Sequence, residues 1–174
     1  SDHADWTESK ALAQDDRFFC QMARRLEEHA MSLDLPNLTC LRLGVVLSPL
    51  GGALPQLVIP YRLKLGIQLN KGTVPLSWIA LEDAVRAIDY ILEHSLSGPI
   101  NCVAPDHTHY QDLYQALKTQ YRPLLSFRVP QWCSAPLGEM AQSTIHTGQH
   151  SHPTRLLDAG FSFKYPKMNQ APLR

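Results

Sequence analysis

Apolar residues along this chain fall alternately into helical and strand spacing. After Asp15-Asp16, both good cap residues, Phe19, Met22, Ala23, Leu26, Ala30 and Leu33 recur every three or four positions, which predicts an amphipathic helix over 15–33. Leu35-Pro36-Asn37 closes it. Residues 39–47 are nearly all apolar and carry several β-branched side chains, the pattern of a strand buried in a parallel sheet. Ser48-Pro49 ends that strand, Gly51-Gly52 makes a turn, and a helical stretch is predicted from Leu54 to Leu65. A short strand comes next over Pro75–Ile79. Glu82-Asp83 then supply the acidic first turn of a strong helix carrying Ala84, Val85, Ala87, Ile88, Ile91 and Leu92. A short strand at Ile100–Ala104, a helix at 110–120, a strand at 124–129 and helices near 131–142 and 153–159 complete the pattern.

Alternating strands and helices point to an α/β or α+β chain. The strand at 39–47 reads as an interior strand, yet no earlier strand precedes its helix. The sequence therefore looks like the second half of a larger sheet.

Composition narrows the class. The chain has 174 residues, 44% hydrophobic and 18% charged, with 16 basic residues against 16 acidic ones. That suits one domain with a sizeable core and excludes disorder. A net charge of zero leaves no electrostatic footprint for nucleic acid or an acidic membrane, and no apolar run is long enough to span a bilayer. Cys20, Cys40, Cys102 and Cys133 are far apart and read as reduced thiols of a cytoplasmic protein. The polar opening Ser1-Asp2-His3 is not a signal peptide, and the missing initiator Met suggests a start after a cleavage or boundary.

The motifs of nucleotide and nucleophile chemistry are missing. No G-x-G-x-x-G turn, P-loop, H-E-x-x-H or nucleophile elbow occurs. Tyr114 and Lys118 have the Y-x-x-x-K spacing of a proton-transfer pair, but they lie in an ordinary helix with no serine upstream and read as a solvated i,i+4 pair. His146, His150 and His152 lie close together, as do His107 and His109. Such imidazoles could hold zinc, but no Cys or carboxylate adjoins the first group, so they read as exposed loop histidines rather than a metal site.

Arg42-Leu43-Gly44-Val45-Val46-Leu47-Ser48-Pro49, followed by Gly51-Gly52-Ala53-Leu54, resembles a signature segment of an atypical extended short-chain dehydrogenase/reductase family. Its members are named NAD(P)-dependent epimerase-like proteins, some of them SulA-like cell-division inhibitor homologues. The likeness continues in order through Arg25–Ala30, Pro60–Gly66, Ser77–Asp83, Ser97–Pro105, Gly138–Ala141 and Arg155–Pro166.

The resemblance implies the C-terminal part of a Rossmann-type fold, with the N-terminal nucleotide-binding half absent. Residues 1–52 would be a remnant of the sheet and 53–174 an α+β substrate-binding lobe. Because ligands bind beyond the carboxyl ends of parallel strands, Leu47, Ser48 and Pro49 become candidates for the substrate cleft, together with Arg62, Trp78 and Asp83. Each has a plainer reading: Gly44 and Pro49 shaping the strand and turn, Trp78 in the core, Asp83 as a helix cap. No catalytic, metal or cofactor-binding residue is assigned to this chain; NAD(P) is implied only for the complete protein. Three positions depart from the family pattern: Thr73 and His150 stand where arginines are usual, and Ala80 where a histidine is. Threonine offers no bidentate fork for phosphate.

Two functions are therefore in view. One is the substrate lobe of an NAD(P)-dependent epimerase or reductase acting on an unidentified small molecule, without nucleic acid or membrane. The other is a non-catalytic interaction module derived from that family. Alone, the chain should bind no dinucleotide and have no such activity. Leu41, Leu43, Val45 and Leu47 should share one face of the 39–47 strand, with Cys40 and Val46 on the other. Apolar surface left uncovered there would be relieved by the missing N-terminal half, by a homodimer, or by fraying of residues 1–50.

Overall fold

A computed structural model describes residues 7–8, 18–33, 35–69, 72–129, 148 and 150–174. Helix α1 (Phe18–Met31) occupies the first predicted helical stretch. Strands β1 (Thr39–Leu43) and β2 (Val45–Leu47) share the single predicted strand, divided at Gly44. After them come α2 (Ala53–Arg62), β3 (Leu65–Leu69), β4 (Trp78–Ala80), α3 (Leu81–Glu93), β5 (Gly98–Cys102), α4 (Tyr110–Tyr121), β6 (Leu125–Val129), α5 (Thr154–Asp158) and a 3-10 turn at Met168–Gln170. The helix expected near 131–142 lies outside the described residues.

Among the described residues every pairing of strands is parallel: β1 with β5, β2 with β4, and β3 with β6. Gly44 marks a fork. Its N–H donates to the carbonyl of Cys102, while the next residue, Val45, donates to Ser77. The chain thus leaves β5 and takes up β4 within one residue. On the far side of β4, Ala104 donates to the carbonyl of Trp78. A Cβ at position 44 would stand 2.8 Å from the Ser77 carbonyl oxygen and 2.9 Å from Val103 Cγ1. The fork therefore requires glycine for close approach.

Alternation along β2 and β4 divides the interior in two. Leu47, Trp78 and Ala80 join Leu54, Val58, Tyr61, Leu113, Leu117 and Met168 in one core under α2 and α4. Ile79 faces the other side, joining Ala87, Ile91, Ile100, Leu156 and Phe161 under α3 and α5. Parallel strands covered on both faces are read from their continuous apolar runs. At β1 this cover thins: Leu41 is 37% and Leu43 51% exposed. On the opposite face Arg42 is tied to Glu27 of α1 by paired hydrogen bonds of its Nε and Nη2.

Sequence and structure part after α2. The helical stretch expected from Leu54 to Leu65 ends at Arg62, and Leu65–Leu69 is a strand. Lys64 adopts a left-handed backbone (φ 63°), which stops the helix, and β6 supplies the hydrogen-bonding partner for Leu65–Leu69. The two short strands are also displaced, β4 lying later than Pro75–Ile79 and β5 earlier than Ile100–Ala104. Pro75 instead makes an isolated antiparallel bridge with His109.

Candidate functional site

Leu47 and Ser48 close the carboxyl end of β2. Leu47 is wholly buried and paired in register with Ala80. The Ser48 hydroxyl accepts the N–H of Leu50, and residues 48 and 51 bridge to form the tight turn that leads into α2. Pro49 is exposed at the tip of that turn. These three residues stand together where β2 ends and α2 begins. Arg62 does not join them. It is exposed at the opposite end of α2, and nine residues of rise put it roughly 13 Å away along the helix.

Trp78 lies in the core with 1% of its surface exposed, and its indole N–H donates to Thr108 Oγ1 at 3.1 Å. The Thr108 hydroxyl in turn donates to the carbonyl of Asp106. The ring is thus packed and its polar atom paired, so Trp78 is a core residue with no face left for a ligand.

Asp83 is fully buried in the first turn of α3. It is not the cap that its position suggested, because the N-cap residue is Ala80 and no side chain caps the helix. Its carboxylate accepts the backbone N–H groups of Lys164 and Tyr165 and a hydrogen bond from Arg86. Arg86 also donates to the carbonyl of Ser162. The pair therefore fastens the segment after α5 onto α3, a contact between residues some eighty positions apart that no local motif announces.

In the turn between β2 and α2 a glycine pair joins a strand to a ten-residue helix, and this turn does not fit a dinucleotide pyrophosphate. Pro55 removes a donor from the first turn of α2, and Leu54 is wholly buried beneath it. Tyr114 and Lys118 meet as expected of helical neighbours, the ammonium lying 5.9 Å from the ring centroid. Burial pushes the hydroxyl of Tyr110 up to about 12 and drives that of Tyr61 higher still, with Tyr61 held by the carbonyl of Ile67. Neither is poised for proton transfer near neutrality.

Of the two groups expected as exposed loop histidines, His107 is exposed, rings from both groups come together, and His146 lies outside the described residues. His107 and His109, after β5, meet His150 and His152, ahead of α5. Among the described residues, no group of three His, Cys, Asp or Glu could hold a metal ion. Nor is any described helix long and apolar enough to cross a membrane.

Comparison with known proteins gives these features a context. Residues 127–171 match a domain of unknown function, DUF1731. The chain is 30% identical over 171 residues to an epimerase family protein of Bacillus subtilis, covering 95% of this chain and 55% of that protein. It is 34% identical over 134 residues to one of Mycobacterium bovis, covering 75% of this chain and 44% of the relative. Among solved structures it superposes on a human epimerase family protein crystallised with NADPH, with a TM-score of 0.86 and 25% identity over 97% of this chain and 58% of that one. A nucleoside-diphosphate sugar epimerase of Corynebacterium glutamicum matches with a TM-score of 0.69 and 27% identity, over 95% of this chain and 32% of that one. The chain thus spans about half the length of the curated relatives it matches. In sequence and in fold alike, the chain is similar to one part of epimerase family proteins.

Proposed function

We propose that this chain is the substrate-lobe portion of an NAD(P)-dependent nucleoside-diphosphate-sugar epimerase- or reductase-like protein, catalytically incomplete by itself. One observation carries the reading. Strand β1 pairs with β5 and with no other described strand, and Leu41 and Leu43 on one of its faces stay 37% and 51% exposed. Burying a large apolar side chain is worth about 1.5–3 kcal/mol, so a strand of this composition belongs inside a wider sheet. On this reading NAD(P) and the proton-transfer residues belong to the other part of the complete protein. The β2 end at Leu47-Ser48-Pro49 then faces a small-molecule substrate in the cytoplasm.

A second reading, a non-catalytic interaction module, draws on Ala80. Where the family pattern has a histidine, this chain has a methyl group buried in the core, which presents nothing to a ligand.

Calorimetry tests the first reading. No NAD(H) or NADP(H) binding is expected at micromolar concentration, and binding there would overturn the assignment of the cofactor to another part. Sedimentation tests the open strand: the chain should self-associate, and Leu41→Lys with Leu43→Lys should abolish it. A stable monomer with fully protected amides across 39–47 would refute the open strand. The intact mass of the source polypeptide separates the two readings, since about twice this length is expected only of the enzyme.

A further inference from the structure

Helix α3 has three distinct sides. Ala84, Ala87 and Ile91 are buried against the sheet with Ile100 and Cys102 of β5. Asp83, Arg86 and Tyr90 meet the segment that follows α5. Asp83 accepts the N–H groups of Lys164 and Tyr165, Arg86 donates to the Ser162 carbonyl, and the Tyr90 hydroxyl donates to the Ala159 carbonyl. Leu81, Val85, Ile88 and Leu92 follow one another at spacings of four, three and four residues, a single stripe on roughly the opposite flank of the helix. That flank is apolar and largely bare: Leu81 is 39%, Val85 50% and Leu92 71% exposed.

Strand β5 fixes where the bare flank points. Its Gly98 N–H donates to Leu38 and its Cys102 carbonyl accepts from Gly44, both on the β1 side. The intervening groups turn the other way, where the Arg155 guanidinium takes the carbonyls of Ser97 and Pro99, and Glu8 takes the Asn101 N–H. Helix α5 therefore stands at the outer edge of β5, and the flank of α3 turned away from it lies toward β1. There Leu41 and Leu43, in register with Ile100 and Cys102, share the sheet face that α3 covers, yet both remain exposed. The stripe makes a wall and the two leucines a floor. The opposite face of β1 is taken by α1 through Arg42 and Glu27.

We propose that this corner seats an amphipathic α-helix of the complete protein, supplied by the part that the present chain does not span. The inference rests on the lobe reading above. A strand added beyond β1 would widen the sheet without covering its face. Only an element in the layer of α3 meets wall and floor together, and on a parallel sheet that layer is helical. The relatives have the chain to supply it, since this sequence covers 55% of the Bacillus subtilis protein and 58% of the human structure.

Photo-crosslinking of the intact source polypeptide tests the seat. A benzophenone amino acid is placed at position 85, at position 92 or, as a control, at the exposed Leu63 that ends α2. Adducts from 85 and from 92 are expected outside the present sequence and about seven residues apart, matching the rise between the two positions along α3. A separation of about three residues would mean a strand, which rises about twice as far per residue. Adducts within the present sequence would mean a second copy or an internal contact. Either result overturns the proposal, as does a yield no higher than that of the control. If the substituted proteins do not fold, carbene footprinting of the unmodified protein decides. Labelling of Leu92 should be about fivefold or more below that in the isolated chain, and equal labelling refutes the seat. A source polypeptide no longer than this chain would overturn the lobe reading and the seat with it; a longer one lacking the adducts overturns the seat alone.

Discussion

Asp83 and Tyr165, 82 positions apart in the chain, are joined by a 2.8 Å hydrogen bond from the backbone N–H of Tyr165 to a carboxylate with no solvent exposure. The other carboxylate oxygen receives the N–H of Lys164 and the Arg86 guanidinium. This carboxylate is therefore a structural anchor. Asp83→Ala should lower stability by about 2–3 kcal/mol, since bonds to a charged acceptor are worth about 1.5–3 kcal/mol each and two backbone donors would be stranded. Urea unfolding measures it, and a change below about 0.5 kcal/mol would contradict the anchor role.

Gly44 and Gly51 offer a matched contrast. A Cβ at Gly44 meets the Ser77 backbone at 2.8 Å, whereas one at Gly51 meets nothing within 4 Å. Gly44→Ala should destabilise by about 1–3 kcal/mol, because backbone and core must move, while Gly51→Ala stays within about 0.5 kcal/mol. Equal effects would dismiss the fork as the reason for glycine.

The pair Glu82–Lys164 makes acid and alkaline sensitivity separable. Hydrogen bonds from Lys164 and then Tyr165 hold the Glu82 carboxyl below its ordinary range, and the bond to Glu82 holds Lys164 above its own. For a depressed carboxyl the added stability is complete above the ordinary value of 4.5 and is lost as pH falls below it. For the raised ammonium it is complete below 10.5 and is lost as pH climbs past it. Both side chains are about half-exposed, so the contribution is small. Glu82→Gln should flatten both limbs of the pH–stability profile; limbs unchanged from the native chain would show the pair to be inert.

Thiol reactivity should rank by burial. Cys102 is wholly buried and burial pushes its thiol up to about 11, while Cys20 and Cys40 are partly accessible. Burial and the nearby Glu27 also raise the Cys40 thiol. Among the described thiols, alkylation of the folded protein near pH 8 should therefore label Cys20 ahead of Cys40 and spare Cys102 until unfolding. Mass mapping that found Cys102 labelled as fast as Cys20 would mean that the strand β5 opens readily.

Local patterning alone was enough to place α1, α3, α4, the 39–47 strand and β6, because each has a period or an apolar run that its own residues create. The ordered likeness to epimerase-like proteins was legible for the same reason, as a property of the linear chain. Strand β3 shows where that reading stops. The sequence reading extends the helix to Leu65 and predicts no strand after it; pairing with β6, 60 positions later, makes Leu65–Leu69 a strand. Tertiary structure likewise decided the candidate site. Trp78 became a core residue through Thr108, and Asp83 an anchor through Lys164 and Tyr165. Two histidine pairs more than forty positions apart became one cluster. Each of those roles belongs to a partner brought close by parallel crossovers, and a sequence encodes its periods locally but its long-range contacts only through the packing that those periods permit.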